Sequence, residues 1–158
     1  METITAVTPV SVEPARIFIL DKDEQHVSLM ETIVGGITIP GGIRCVTYMN
    51  TDFAVKDICQ CEHQPDLMIV GLDRHGFVSG FNVIDIVHQK WPELKCVLST
   101  GHHHHHSRIV EVMKRHGIFA YIARPYDVLK TRGVIEAALS YMQSEPIIIY
   151  PNYPELGL

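Results

Sequence analysis

Short apolar runs alternate with amphipathic segments five times along the chain. The runs are rich in β-branched residues and have the length of buried parallel strands, and they lie at 16–20, 43–48, 67–70, 94–98 and 118–122. The segments between them carry apolar residues at helical spacing, as Val27, Met30 and Val34 do. This pattern predicts five consecutive pairs of a β-strand and an α-helix.

Capping residues and chain breakers mark the ends of these helices. The predicted N-caps are Asp23, either Thr51 or Asp52, Ser107 and Asp127. Gly35-Gly36 ends the first helix and Pro92 ends the third, since proline cannot continue a helix. Boundaries of this kind agree with the apolar pattern.

Alternating strands and helices of this length predict an α/β fold. We expect a doubly wound, five-stranded parallel sheet with helices on both faces, flavodoxin-like in strand order 2-1-3-4-5. The predicted domain covers residues 16–142. Residues 1–15, rich in Thr, Val and Pro, are expected to form a flexible segment, and residues 143–158 a C-terminal tail.

Charge and composition exclude several classes of partner and location. The net charge is -5 and the sequence pI is about 6.0, whereas sequence-independent binding to nucleic acid needs a basic surface. No apolar run has the length of a membrane span, and the start of the chain lacks the basic region of a signal peptide. The four cysteines have no metal-site spacing and are expected as reduced thiols. We therefore expect a cytoplasmic protein that binds neither nucleic acid nor membrane.

Polar residues gather where the predicted strands end. In doubly wound sheets, functional residues lie at the carboxyl ends of the strands. Here these ends are Asp21-Lys22-Asp23, Gly71-Leu72-Asp73, Ser99-Thr100-Gly101 and Ala123-Arg124-Pro125.

These four strand ends, in this order, resemble the motifs of response-regulator receiver domains in two-component signalling. Lys22 and Asp23 match the acidic pair of that family, with lysine in place of one acid. Thr100 matches the switch hydroxyl, Tyr121 the switch aromatic and Arg124 the lysine before a cis proline. The resemblance covers about residues 16–142 and implies a cis peptide bond before Pro125.

Gly71 stands where the resemblance requires the aspartate that accepts a phosphoryl group. Glycine offers no nucleophile. At the matching positions, Lys22 and Arg124 give two cations against the single anion Asp23, an arrangement that disfavours Mg²⁺. The resemblance therefore implies a degenerate receiver, a pseudo-receiver with no cofactor and no enzymatic activity of its own.

Two other carboxylates could replace the missing one. Asp73, two residues beyond Gly71, could serve as the acceptor with Mg²⁺ if the strand end carried a bulge, although a solvated loop acid is the favoured interpretation. Asp21 could turn toward the pocket, but we expect it to lie in water.

Five consecutive histidines, His102 to His106, follow the fourth strand. Histidine-rich tracts bind transition metals, and His102 and His106 would share a face if both lay in one helix. A metal-responsive regulator is therefore an alternative, although a solvated loop is favoured. The isolated histidines, His26 among them, are expected at the surface.

The resemblance implies a protein-binding module in a phosphorelay, acting without phosphorylation. Its partner would be a signalling protein such as a histidine kinase or an output protein, recognised by the last two helices and the fifth strand. A homodimer through the same surface is a further expectation. The apolar residues Ile147 to Tyr150 are predicted to form a strand or tail that docks on a partner or on the domain itself.

Overall fold

The computed structural model describes residues 13–72, 77–101, 106–140 and 147–150. The strands are β1 (Ala15–Leu20), β2 (Ile43–Tyr48), β3 (Leu67–Leu72), β4 (Cys96–Thr100), β5 (Ala120–Ala123) and β6 (Ile147–Ile149). The helices are α1 (Glu24–Gly35), α2 (Thr51–Gln60), α3 (Phe77–Lys90), α4 (His106–His116) and α5 (Val128–Leu139). The five predicted strand and helix pairs are therefore present in the predicted order.

All strands pair in parallel in one sheet of order β2-β1-β3-β4-β5-β6. The predicted order 2-1-3-4-5 is correct for the first five strands, but the prediction of a five-stranded sheet is wrong. Ile147–Ile149, in the segment expected as a tail, pairs with β5 from Ala120 to Ile122. The apolar tail thus docks on the domain itself, where its backbone completes the hydrogen bonding of β5.

Alternation along the strands separates two cores. Ile17 and Ile19 of β1 pack with the buried faces of α1 and α5. Phe18 and Leu20 pack on the opposite face of the sheet, in the cluster that includes buried residues of α2, α3 and α4. Because both faces are covered, the inner strands are apolar on both sides, as expected for a parallel sheet.

The helix caps follow the sequence in part. Asp23 caps α1 and Asp127 caps α5, as predicted. The cap of α2 is Asn50, whose side chain accepts a hydrogen bond from the backbone N–H of Phe53 at 3.1 Å, so neither Thr51 nor Asp52 has that role. Ser107 is not a cap either, because α4 already begins at His106.

Within the described ranges, no helix combines the length and the apolar character needed to cross a membrane.

Candidate functional site at the carboxyl edge of the sheet

Asp21, Gly71 and Ser99 lie in one row across three adjacent strands. Leu20 pairs with Val70, which places Asp21 beside Gly71, and Gly71 pairs directly with Ser99. Alternation places all three on the face that α1 and α5 cover. This row is the centre of the candidate site.

The carboxylate of Asp21 fills the space above Gly71. A Cβ atom built on Gly71 would overlap Oδ2 and Cγ of Asp21 and would lie 2.9 Å from its Cβ. Asp21 is only 8% exposed, and its Oδ1 accepts a hydrogen bond from the backbone N–H of Asp23 at 2.9 Å. The expectation that Asp21 lies in water is therefore wrong. The absent side chain at residue 71 gives the room in which a buried acid can sit.

Lys22 and Asp23 face outward from the same turn. Lys22 is exposed, and Asp23 uses its carboxylate to cap α1, where it accepts hydrogen bonds from the backbone N–H groups of Gln25 and His26. Desolvation by burial raises the pKa of Asp23, but these hydrogen bonds and the charges of His26 and Arg124 outweigh it and lower the pKa. The carboxylate of Asp23 therefore serves as the N-cap of α1.

Arg124 reaches across the site from the end of β5. Its guanidinium contacts the ring of His26, with Nη1 at 2.9 Å from Nε2 and closer to Nδ1, and Nη2 lies 3.4 Å from the carbonyl oxygen of Ser99. A guanidinium can only donate hydrogen bonds, so Arg124 is the donor to the carbonyl oxygen of Ser99. Nδ1 of His26 also lies 3.7 Å from Oδ2 of Asp21.

The charges of the cluster therefore differ from those expected. Lys22 is exposed, Arg124 is half-buried and Asp21 is buried. The site therefore contains the buried anion Asp21 and the half-buried cation Arg124, and not the expected excess of cations. His26, expected at the surface, is half-buried between them.

Ser99 and Tyr126 close the floor of the site. Their hydroxyl groups form a buried hydrogen bond that joins β4 to the segment before α5. Burial raises the pKa of Tyr126, and the negative charge of Asp21 acts in the same direction, whereas the Ser99 hydrogen bond and Arg124 lower it. Both side chains serve as a neutral, hydrogen-bonded pair at ordinary pH.

The two residues matched to the receiver switch lie on the other side of the sheet. Thr100 is fully buried at the end of β4, where alternation places it on the same face as Leu98. Tyr121 is 4% exposed within the core that contains residues of α3 and α4, and burial raises its pKa to about 12. The backbone N–H of Arg124 donates to the carbonyl oxygen of Thr100 at 2.8 Å.

The Arg124–Pro125 peptide bond is cis, as predicted. Asp73 and His102 lie outside the described residues, and of His106 only the backbone is described, at the start of α4. Among the described residues, no group of three or more His, Cys, Asp or Glu side chains could hold a metal ion.

Sequence reasoning named Ser99 at a strand end without giving it a role, missed Tyr126, and misjudged Asp21 and His26. The available signal for Ser99 was its place beside Gly71 in the strand register. His26 lies in the first turn of α1, three residues after the cap Asp23, and contacts Arg124 from there. No comparable signal marks Tyr126, since its position depends on the path of the chain after Pro125.

The fold is shared with solved structures of receiver domains. A response regulator receiver domain protein (CheY-like) from Methanospirillum hungatei JF-1 is 17% identical, with a TM-score of 0.66, covering 81% of this chain and 95% of that one. The signal receiver domain of an HD domain-containing protein from Pseudomonas fluorescens Pf-5 is also 17% identical, with a TM-score of 0.66, covering 87% and 94%. A signal receiver domain of a two-component histidine kinase from Clostridium thermocellum is 13% identical, with a TM-score of 0.65, covering 79% and 97%. No family model matches the sequence, and no curated protein matches it. At these identities the likeness establishes the fold.

Proposed function

We propose that this chain is a receiver-like domain of two-component signalling that binds its partners without being phosphorylated. The fold of its structural neighbours supports the signalling role, since these are receiver domains. The proposal that the domain is not phosphorylated rests on the carboxylate of Asp21, which occupies the space above Gly71.

Phosphoryl transfer to a carboxylate needs an accessible nucleophile beside a metal ion. Asp21 does not meet this need, because it is buried and its Oδ1 is held by the N–H of Asp23. The carboxylate of Asp23 caps α1, and the positive charge of Arg124 acting on Asp23 disfavours a divalent cation there. Asp21, Asp23 and Arg124 thus form a fixed arrangement in which opposite charges partly balance. We assign these residues no catalytic activity.

Partner recognition is assigned to the side of the domain formed by α4, β5 and α5, as in the receiver resemblance. Val128 and Leu129, at the start of α5, are 40% and 77% exposed, which is unusual for large apolar side chains at one helix end. Tyr150, 53% exposed, follows β6 at the same edge of the sheet. Such residues suit a protein partner, such as a kinase, an output protein or a second copy.

The test is incubation of the full chain with acetyl phosphate and Mg²⁺, followed by intact mass spectrometry. We expect no phosphoryl adduct. An adduct that is labile to base and absent in Asp73→Asn would contradict the proposal and assign the acceptor to Asp73. An adduct lost in Asp21→Asn would contradict it in a different way, since it would show that the buried acid becomes accessible.

A further inference from the structure

The outer edge of β2 presents a row of backbone groups toward solvent. The carbonyl oxygens of Gly42 and Tyr48 accept hydrogen bonds from Ala15 and Asp21, so residues of even number in β2 point toward β1. Because parallel strands alternate the direction of their backbone groups, Ile43, Cys45 and Thr47 direct their N–H and C=O groups away from β1. β2 is the last strand at this end of the sheet, and no other strand in the described residues covers this edge.

A groove of about 310 Å³ runs beside this edge, between β2 and the end of α1. Ile43 and Cys45 form its β2 side. Its other lining residues are Glu31, Val34, Gly35 and Ile37. The side chains of β2 that line the groove therefore belong to the same residues whose backbone groups face outward.

Among the described residues that line the groove, Glu31 is the one that carries a charge. Burial raises the pKa of the Cys45 thiol, and the negative charge of Glu31 raises it further, which keeps the thiol neutral. The groove thus brings the apolar side chains of Val34, Ile37 and Ile43 together with the exposed carboxylate of Glu31.

We propose that the β2 edge and this groove bind an extended peptide segment of a partner protein, which adds to the sheet as a further strand. In this mode the backbone hydrogen bonds supply affinity, and pockets for alternate side chains supply specificity. The groove would take one apolar side chain of the peptide, and Glu31 would pair with a lysine or arginine next to it on the same face. The inference is independent of the phosphorylation state, so its failure would leave the proposed function standing.

A second copy of the chain fits this edge less well. Pairing of two β2 strands about a twofold axis would bring both Glu31 carboxylates to the same face of the joined sheet. Arg44, the basic residue of β2, lies on the opposite face, because alternation separates it from Ile43 and Cys45. A self-paired edge would therefore offer no cation to Glu31, whereas a basic peptide does.

The test begins with a phage library of random dodecapeptides selected on the full chain, and the enriched peptides are then measured by fluorescence anisotropy. We expect enriched sequences to alternate apolar and polar residues and to carry a basic residue. Hydrogen exchange should show peptide-dependent protection at Ile43, Cys45 and Thr47, the residues that face outward. Failure to enrich any peptide, or protection at β6 instead, would overturn the proposal.

Gly35→Leu fills the groove, since a Cβ at Gly35 meets nothing within 4 Å. Gly133→Leu is the matched control, because a Cβ on Gly133 of α5 is equally free. We expect Gly35→Leu to weaken peptide binding at least about tenfold and Gly133→Leu to leave it unchanged. Equal affinity in both variants would overturn the proposal.

Glu31→Lys gives a second readout that does not depend on filling the groove. It should weaken the binding of basic peptides, whereas Glu136→Lys, an equal change of charge at an exposed position of α5, should not. Unchanged binding in Glu31→Lys would overturn the assignment of a basic peptide. A dimer in sedimentation, together with protection of β2 from hydrogen exchange in the absence of peptide, would overturn the proposal in favour of a second copy.

Discussion

The carboxylate of Asp21 occupies the volume that a side chain at Gly71 would need. The two residues lie side by side at the ends of β1 and β3, and the N–H of Asp23 holds the carboxylate in place at 2.9 Å. The acid on one strand and the glycine on the next are therefore complementary in volume. The effect on stability of a substitution at one position should depend on the residue at the other.

Gly71→Ala should lower the free energy of unfolding by about 1–3 kcal/mol, the usual cost of inserting a methyl group where there is no room. Rotation of the Asp21 carboxylate alone cannot relieve the overlap, because the new Cβ would also lie 2.9 Å from the Cβ of Asp21. Urea unfolding of both proteins measures the difference.

The control is a double-mutant cycle with Asp21→Ala. Most of the overlap disappears when the carboxylate is removed, so Gly71→Ala should cost clearly less in the Asp21→Ala background than in the wild type. Additive effects would show that the two side chains do not compete for this space.

Tyr126→Phe should destabilise the domain by about 1–3 kcal/mol, because it leaves the buried hydroxyl of Ser99 without its partner. Ser99→Ala in the same chain should recover part of this loss, since neither member of the pair then remains unsatisfied. Thermal unfolding of the two single variants and the double variant is the measurement. A double variant as unstable as the sum of the single ones would refute the pairing.

The fold was predictable because its signals are local and repeated. Runs of apolar residues, helical periodicity, and caps such as Asp23 and Asp127 each specify one element, and parallel pairing follows from their alternation. The segment of β6 was predicted as a docked strand or tail, but not as the sixth strand of this sheet. A run of three isoleucines has no period, and its partner on β5 is 27 residues earlier in the chain.

The candidate site was less predictable, because its contacts depend on the direction of side chains at strand ends. Alternation allowed only one of Asp21 and Lys22 to face the pocket, and sequence reasoning chose the wrong one. The space above Gly71 favours Asp21. The sequence shows the glycine but not which neighbouring side chain fills the space beside it. Likewise, the contact of Arg124 with His26 joins residues that are 98 positions apart in the chain.

Stability should fall at acidic pH in part through Asp23. Its pKa in the folded protein is lowered from 3.8, so its charge stabilises the fold above that ordinary value. This contribution is lost as the pH falls from about 4 through the lower folded pKa. Asp23→Asn keeps a capping oxygen but cannot titrate, so its stability should depend less on pH between about 5 and 2. Parallel urea titrations measure this, and equal slopes would contradict the assignment.

Removal of β6 should destabilise the domain itself, whether or not it dimerises. Ile147, Ile148 and Ile149 are half-buried against both cores, and β6 covers the backbone edge of β5. A chain that ends at Met142 should therefore lose roughly 2–4 kcal/mol of unfolding free energy, about half of full isoleucine burial at three positions. A chain that ends at Tyr150 keeps β6 and is the matched control. Hydrogen exchange at Tyr121 and Ala123 should quicken only in the shorter chain, because the backbone N–H groups of these residues point toward β6. Equal stability of the two chains would mean that β6 contributes nothing to the fold, and sedimentation of the same pair separately tests self-association through α4, β5 and α5.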